Sequence, residues 1–240
     1  MLKLYNDDCM NVLTKMEDNS VDLIITSPPY NLNHISRLHH NNEDTRLLVT
    51  YNSYSDDLSY EEYEKWQVKV LNELYRVLKP SGLLYYNHKE RHIKGYYFNP
   101  LNLIQRSLFL PLQTIIWNRG GGVTFNNGRF VNSYETINVA YKSSKYMRVP
   151  TRHSKRFDVW NIPPTKNKCN VPEFPLELPL RIIRAYEDYD DLTVMDCFMG
   201  GGSVGVASLQ EGRNFIGMEI DKETFDYAYQ RTRSYQSKLI

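Results

Sequence analysis

Apolar residues along the chain fall into two kinds of run. Short β-branched and aliphatic stretches at Leu2–Tyr5, Val21–Thr26, Leu83–Tyr86, Leu112–Trp117, Glu135–Tyr141, Leu192–Met195 and Asn214–Met218 have the length and composition of buried strands. Between them the spacing becomes helical. It does so over Met10–Met16, from Ser59 to Leu78, behind Pro100 with Leu101, Ile104 and Leu108 facing inward, over Leu176–Tyr186, and from Val204 to Glu211. In the longest of these, Tyr63, Trp66, Val70, Leu71, Leu74 and Leu78 share one face, Ser59 and Glu62 have capping-box spacing, and Lys79–Gly82 is the predicted stop. Strands alternating with helices predict an open α/β sheet. Residues 31–58 are polar without a sustained period, which predicts a functional loop able to close over a substrate, and Gly120–Gly128 reads as a flexible loop.

At 240 residues and 41% hydrophobic, the chain can build one large α/β domain or two small ones. Cys9, Cys169 and Cys197 are scattered, no Cys or His spacing suggests zinc, and His39–His40 reads as a solvated loop, so no metal is expected. The first residues lack an apolar signal core, and no run approaches the roughly 18 apolar residues of a membrane span. A reduced, cytoplasmic protein without a membrane partner is the expectation. The net charge of +1 hides an asymmetry. Residues 142–168 hold five lysines and three arginines against Asp158 alone, a local charge of +7 in an otherwise acidic chain. That is the footprint of phosphate contact.

The strand at Val21–Thr26 runs into Ser27-Pro28-Pro29-Tyr30. Two prolines stiffen the backbone at a strand's C-terminal end, where open α/β sheets place their ligands. Ser27 offers a hydroxyl, Pro28 a carbonyl of fixed direction and Tyr30 a flat ring. Two acceptors and a stacking surface suit a planar base whose exocyclic amine must be held so that its lone pair is freed for attack. A proline turn closing a core strand, or a proline-rich ligand segment, would use the same residues.

A second constellation lies near the C-terminus. The strand at Leu192–Met195 leads into Asp196-Cys197-Phe198-Met199-Gly200-Gly201-Gly202-Ser203, a helix follows, and the next strand ends at Glu219. Glycines in such a turn let the backbone approach a ligand closely, and an acid about twenty residues on can accept from ribose hydroxyls. Gly200-x-Gly202-x-x-Gly205 with Glu219 also satisfies the dinucleotide fingerprint. Asp196, however, would set a negative charge against a pyrophosphate, and only about twenty residues follow Glu219. A cationic sulfonium cofactor, with an ammonium for Asp196 and a ribose for Glu219, is the better partner.

Together these stretches resemble the amino-directed DNA methyltransferases of the permuted β arrangement, in which the catalytic motif precedes the S-adenosylmethionine loop. Thr26–Tyr30 is similar to their catalytic motif, Asp196–Ser203 to their Asp-Pro-Phe-x-Gly-x-Gly-Thr motif with Cys197 for proline, and Ile216–Asp221 to their ribose-binding motif. Asp7-Asp8-Cys9 matches the pattern whose Asp lies near the cofactor adenine. Asn170–Pro175 is a loose match to a motif on the methionine side and carries over only Phe174.

The resemblance implies a Rossmann-like, seven-stranded, doubly wound sheet with one antiparallel edge strand in a single domain, 1–240. Residues 1–141 would be its catalytic half, 142–169 its target-recognition segment and 170–240 its cofactor-binding half. It implies Ser27, Pro28, Pro29 and Tyr30 as catalytic, and Asp8, Phe174, Asp196, Phe198, Gly200, Gly202, Ser203 and Glu219 as binding S-adenosylmethionine. The cation-rich segment would place Arg148, Arg152, Lys155 and Arg156 on double-stranded DNA, with help from the 31–58 loop or a second copy in a homodimer. Ser-Pro-Pro-Tyr favours cytosine N4, whereas Asn31-Leu32 after it resembles adenine N6 enzymes. An RNA or protein amino-methyltransferase, and a non-catalytic DNA-binding module, are the more distant readings.

Overall fold

The computed structural model describes residues 1–31, 56–93, 96–121, 130–149, 157–165 and 173–236. In chain order its elements are β1 (Leu2–Tyr5), α1 (Cys9–Leu13), β2 (Val21–Thr26), α2 (Tyr60–Val77), β3 (Leu78–His88), β4 (Arg91–Ile93), β5 (Tyr96–Phe98), α3 (Leu101–Arg106), β6 (Leu110–Asn118), β7 (Tyr134–Tyr141), β8 (Val159–Asn161), α4 (Glu177–Arg184), β9 (Thr193–Asp196), α5 (Ser203–Gln210), β10 (Asn214–Met218) and α6 (Lys222–Gln236). Eight strands form one sheet in the order β1-β10-β9-β2-β3-β7-β6-β8, and β4 and β5 make a separate hairpin.

The first five strands of that order are mutually parallel. β7 runs antiparallel to both neighbours, and β8 pairs parallel with β6. The expected seven-stranded sheet with an antiparallel edge strand is therefore corrected in two respects. The antiparallel strand is interior: β7 is buried over Glu135–Ala140, so both its edges and both its faces are covered. The eighth strand, β8, has only three residues and one buried side chain, too short for a hydrophobic pattern to announce it.

Helices cover both faces, as the near-continuous apolar runs of the parallel strands require. One core joins Leu23, Ile25, Leu83 and Val194 to Leu178, Ile183 and Ala207 of α4 and α5. The other joins Ile24, Leu84, Tyr86 and Met195 to Leu13, Leu71, Leu74 and Ile104 of α1 to α3. α2 starts where its capping box predicts, with Ser59 and Glu62 bonding reciprocally. Its last carbonyls, on Arg76 and Val77, accept from the Asn19 and Ser20 N–H groups at 3.1 and 2.9 Å.

Lys79–Gly82 does not separate helix from strand as expected. Leu78 already pairs with Val21, and the next matched pair is Leu23 with Leu83, so the Pro-containing stretch is an irregularity inside β3. Lys79 Nζ donates to both oxygens of Asp22 at 2.8 and 2.9 Å, which holds the irregular stretch against β2. Leu108 is also corrected. α3 stops at Arg106 and Leu108 is 59% exposed, because Ser107 is already extended (ψ of -176°) and ends the helical period.

From β9 the chain passes through α5 to β10 on one side, and from β2 through α2 to β3 on the other. The sheet's switch point thus lies between β9 and β2, where a crevice opens beyond the strand C-termini. Among the described residues no helix is long and apolar enough to cross a membrane.

Candidate active site

A cleft of about 300 Å³ lies over that switch point. The tip of β2 brings Ser27, Pro28, Pro29 and Tyr30 to it, the loop after β9 brings Asp196, Phe198, Gly200 and Gly201, and the end of β10 brings Glu219. Asp8 and Phe174 line it too, as does Ser203 at the start of α5. The residues that the sequence marks in two distant stretches therefore share one cavity. Gly202 is an exception. With φ of 79° it begins α5 and packs on Ala228, where an added Cβ would lie 3.1 Å from the Ala228 methyl, so its constraint is helix packing rather than contact with the cleft.

Asp196 is 2% exposed, and its Oδ1 accepts from Thr26 Oγ1 at 2.7 Å and from the Phe198 N–H at 3.1 Å. Burial pushes its carboxyl up to about 7; the two donors oppose that rise and the charge of Glu219 adds to it. Glu219 is also raised, chiefly by burial. Its oxygens accept from the Gly200 N–H at 3.0 Å and the Asp221 N–H at 2.9 Å, so the glycine loop and the β10 tip hold it from both sides. Asp8 has a local duty as well, accepting from the Met10 N–H at 2.7 Å as the N-cap of α1.

At the other end Ser27 Oγ lies 2.9 Å from Tyr30 Oη, and Tyr30 donates to Glu135 Oε2 at 3.0 Å. Asn87 Nδ2 donates to Tyr30 Oη at 2.6 Å and to Glu135 Oε2 at 2.9 Å. Arg119 closes the group with a 2.5 Å bond to Glu135 Oε1. Below them Tyr63 donates to the Pro29 carbonyl at 2.8 Å, and Arg91 donates to the Tyr30 carbonyl. The His88 ring stacks on Tyr30 at 4.5 Å, so a flat ligand can stack only on the opposite face. Asn31, at φ of 55°, donates its N–H to Asp56 at 2.7 Å and its side-chain amide to the Leu58 carbonyl at 2.7 Å. These bonds tie the two ends of the expected 31–58 loop together beside the cleft; residues 32–55 lie outside the described residues, as do His39 and His40.

Glu135, Asn87, Arg119 and His88 were not singled out from the sequence, and Trp66, which lines the cleft, was read only as part of the buried face of α2. Glu135 left a faint signal as the one carboxylate in its strand, and Asn87-His88 as polar residues ending another. In the basic segment Lys142 is a structural cation. It donates to Asn19 Oδ1 at 2.7 Å and to the Leu78 carbonyl at 2.9 Å. Arg148 is exposed, with its guanidinium 5.4 Å from the Tyr146 ring centre. Arg152, Lys155, Arg156, Lys166, Lys168 and Cys169, and Asn170–Pro172 of the loose motif, lie outside the described residues.

The donor set discriminates between cofactors. Asp196 and Glu219 face the cleft, Glu173 lines it while paired with Arg231 at 2.8 Å, and the one cation among its described lining residues, Arg119, is engaged with Glu135. A pyrophosphate would meet carboxylates, whereas a cationic nucleoside has a counter-ion, ribose acceptors and the apolar walls of Phe174, Phe198, Met199 and Met218. Among the described residues no group of three His, Cys, Asp or Glu side chains could hold a metal ion.

Fold and site together define an α/β protein that seats a nucleoside-bearing cofactor at a switch point, beside an acceptor-lined pocket. A model of the N6/N4 DNA methylase family matches residues 21–230, and the chain belongs to that family. It is 31% identical over 270 aligned positions to the type II methyltransferase M.BglII of Bacillus subtilis, an alignment spanning 95% of this chain and 68% of that one. It is 26% identical to the type II methyltransferase M.HinfI of Haemophilus influenzae, over 96% of this chain and 68% of that one. Among solved structures it is similar to the cytosine-N4-specific PvuII DNA methyltransferase, with a TM-score of 0.75 at 17% identity over 98% and 90% of the two chains. It is also similar to TTHA0409 of Thermus thermophilus in complex with S-adenosyl-L-methionine, with a TM-score of 0.69 at 23% identity over 98% and 96%.

Proposed function

We propose that the chain transfers a methyl group from S-adenosylmethionine to the exocyclic amine of a base in double-stranded DNA, and that the base is cytosine, methylated at N4. The observation that carries this reading is the single cleft shared by the Ser27–Tyr30 motif and the acid-lined glycine loop. When bound, the cofactor supplies a methyl group on a sulfonium, electrophilic toward an amine. Asp196 takes its ammonium and Glu219 its ribose hydroxyls, with Phe174 and Phe198 against its apolar parts. Ser27 and the Pro28 carbonyl accept from the amine, and Tyr30 stacks on a base drawn out of the duplex through its one uncovered face. Holding both reactants at adjacent strand tips makes the displacement effectively intramolecular. Residues 142–169 are proposed as the recognition segment, with Arg148, Arg152, Lys155 and Arg156 on phosphates.

For cytosine the support is the neutral hydroxyl of Ser27, the residue associated in this family with N4. Adenine N6 is the second reading, favoured by Asn31 after the motif. In this chain, however, the Asn31 amide is spent on Leu58, so it speaks for anchoring of the loop rather than for the base. Incubating DNA, RNA and protein acceptors with labelled cofactor, then resolving the digested nucleosides by mass spectrometry, tests the reading. N4-methylcytosine from DNA is expected. N6-methyladenine would overturn the base assignment, and label found only in RNA or protein would overturn the DNA reading.

A further inference from the structure

A serine hydroxyl can donate or accept, so Ser27 by itself does not select an amine over a carbonyl. Its surroundings remove that ambiguity. Glu135 is 5% exposed and its carboxylate only accepts. Both neighbours on its Oε2, Tyr30 Oη at 3.0 Å and Asn87 Nδ2 at 2.9 Å, must therefore donate to it. Tyr30 has a single proton, and that proton points at Glu135. Its oxygen then accepts, from Asn87 at 2.6 Å and from Ser27 at 2.9 Å. The Ser27 proton is thereby committed to Tyr30, and what Ser27 presents to the cleft is lone pairs. Arg119 on the other carboxylate oxygen, itself packed 5.3 Å from the Trp117 ring centre, fixes the end of the chain. Burial and the Glu135 charge hold the Tyr30 hydroxyl well above its ordinary value, which favours the protonated form.

We propose that Glu135 is a positioning residue that sets the direction of the Ser27–Tyr30–Glu135 hydrogen-bond chain, so that the pocket accepts from an amino-bearing base and rejects a 4-keto base, and that this chain carries the proton the amine sheds. The inference rests on the methyltransferase reading above. In the transfer, the amine nitrogen bonds the methyl carbon as the carbon–sulfur bond breaks and its electron pair returns to sulfur. The nitrogen then loses a proton to Ser27 Oγ, as the Ser27 proton moves to Tyr30 Oη and the Tyr30 proton to Glu135 Oε2. Charge and atoms balance without a further reactant.

The test has a protein-only arm and a kinetic arm. In protein labelled with carbon-13 at the tyrosine Cζ, without cofactor or DNA, the Tyr30 hydroxyl proton should appear as a downfield, slowly exchanging resonance. It should be missing in Tyr30→Phe and move upfield in Glu135→Gln, whose amide can donate. A wild-type spectrum without that bonded proton overturns the proposal, whatever the activity. In single-turnover methylation, Glu135→Gln should lose roughly 100-fold in rate with cofactor affinity unchanged. It should also lose the wild-type preference for binding duplexes with cytosine rather than uracil at the target position. A variant that keeps the preference and the rate refutes the chain's direction. The wild-type product, read separately as a nucleoside, reports on the methyltransferase reading alone.

Discussion

Replacing Asp196 by Asn should strengthen the unliganded fold and weaken the cofactor's grip, and the size of each effect follows from the site. Moving the carboxyl from its ordinary 3.8 to about 7 means that ionising it inside the protein costs up to about 4 kcal/mol more than in water, at about 1.4 kcal/mol per tenfold. A group whose folded value is raised contributes stability that is complete below the ordinary value and is lost as pH rises through the folded one. Wild type should therefore lose stability relative to Asp196→Asn between about pH 4 and pH 7. Asn is a near-isostere, and the Thr26 and Phe198 donors both use Oδ1, which an amide oxygen replaces. After relaxation, about 1–3 kcal/mol of stabilisation is expected at pH 8, or roughly 2–4 °C in Tm per kcal/mol for a chain of this size. Cofactor affinity should fall by about 1.5–3 kcal/mol with the lost charge-assisted bond. In wild type it should drop as pH falls below about 7, a dependence weakened but not abolished in the variant because Glu219 titrates in the same direction. Thermal melts across pH 4–8 and calorimetry at pH 6 and 8 measure both quantities. A variant that melts lower than wild type at pH 8 and binds the cofactor equally well would show that Asp196 is a structural group and not the ammonium's seat.

Two further outcomes follow. Gly205→Ala places a methyl 2.7 Å from Phe215 and 2.9 Å from Thr232, between α5, β10 and α6, and should cost about 1–3 kcal/mol by denaturant titration, whereas Gly121→Ala, which meets nothing within 4 Å, should be neutral. Replacing Arg148, Arg152, Lys155 and Arg156 together should flatten the plot of log affinity against log salt by about one for each phosphate contact removed, with cofactor binding untouched; an unchanged slope moves recognition elsewhere.

What could be read from the chain alone was whatever is encoded locally. Asn214–Met218 is β10 to the residue and Ser59 caps α2 as expected, because strand burial and capping depend on neighbours a few positions away. Ser27 and Asp196 were visible because prolines or glycines follow them at a strand tip, and Glu219 because it lies about twenty residues beyond that glycine loop. Glu135 and Asn87 were not, since their meaning comes from register. β3 and β7 pair Asn87 with Ile137, two places from Glu135, and no local pattern encodes an antiparallel alignment across some fifty residues of chain. The interior position of β7 escaped for the same reason.

Thr26 has a consequence for the order of events. Its hydroxyl holds Asp196 at 2.7 Å across 170 residues of sequence, and its carboxyl side is peptide-bonded to Ser27, so one residue of β2 touches both halves of the site. On the proposed reading, a change of charge at Asp196 would alter the bond that Thr26 makes beside Ser27. Thermodynamic linkage makes such an influence reciprocal. If a bound cofactor improves the fit of the extruded base, the base must tighten the cofactor by the same factor, and the two occupants then arrive and depart as coupled rather than independent guests. On that reading the proposed catalytic strand would also be a communication line one residue long.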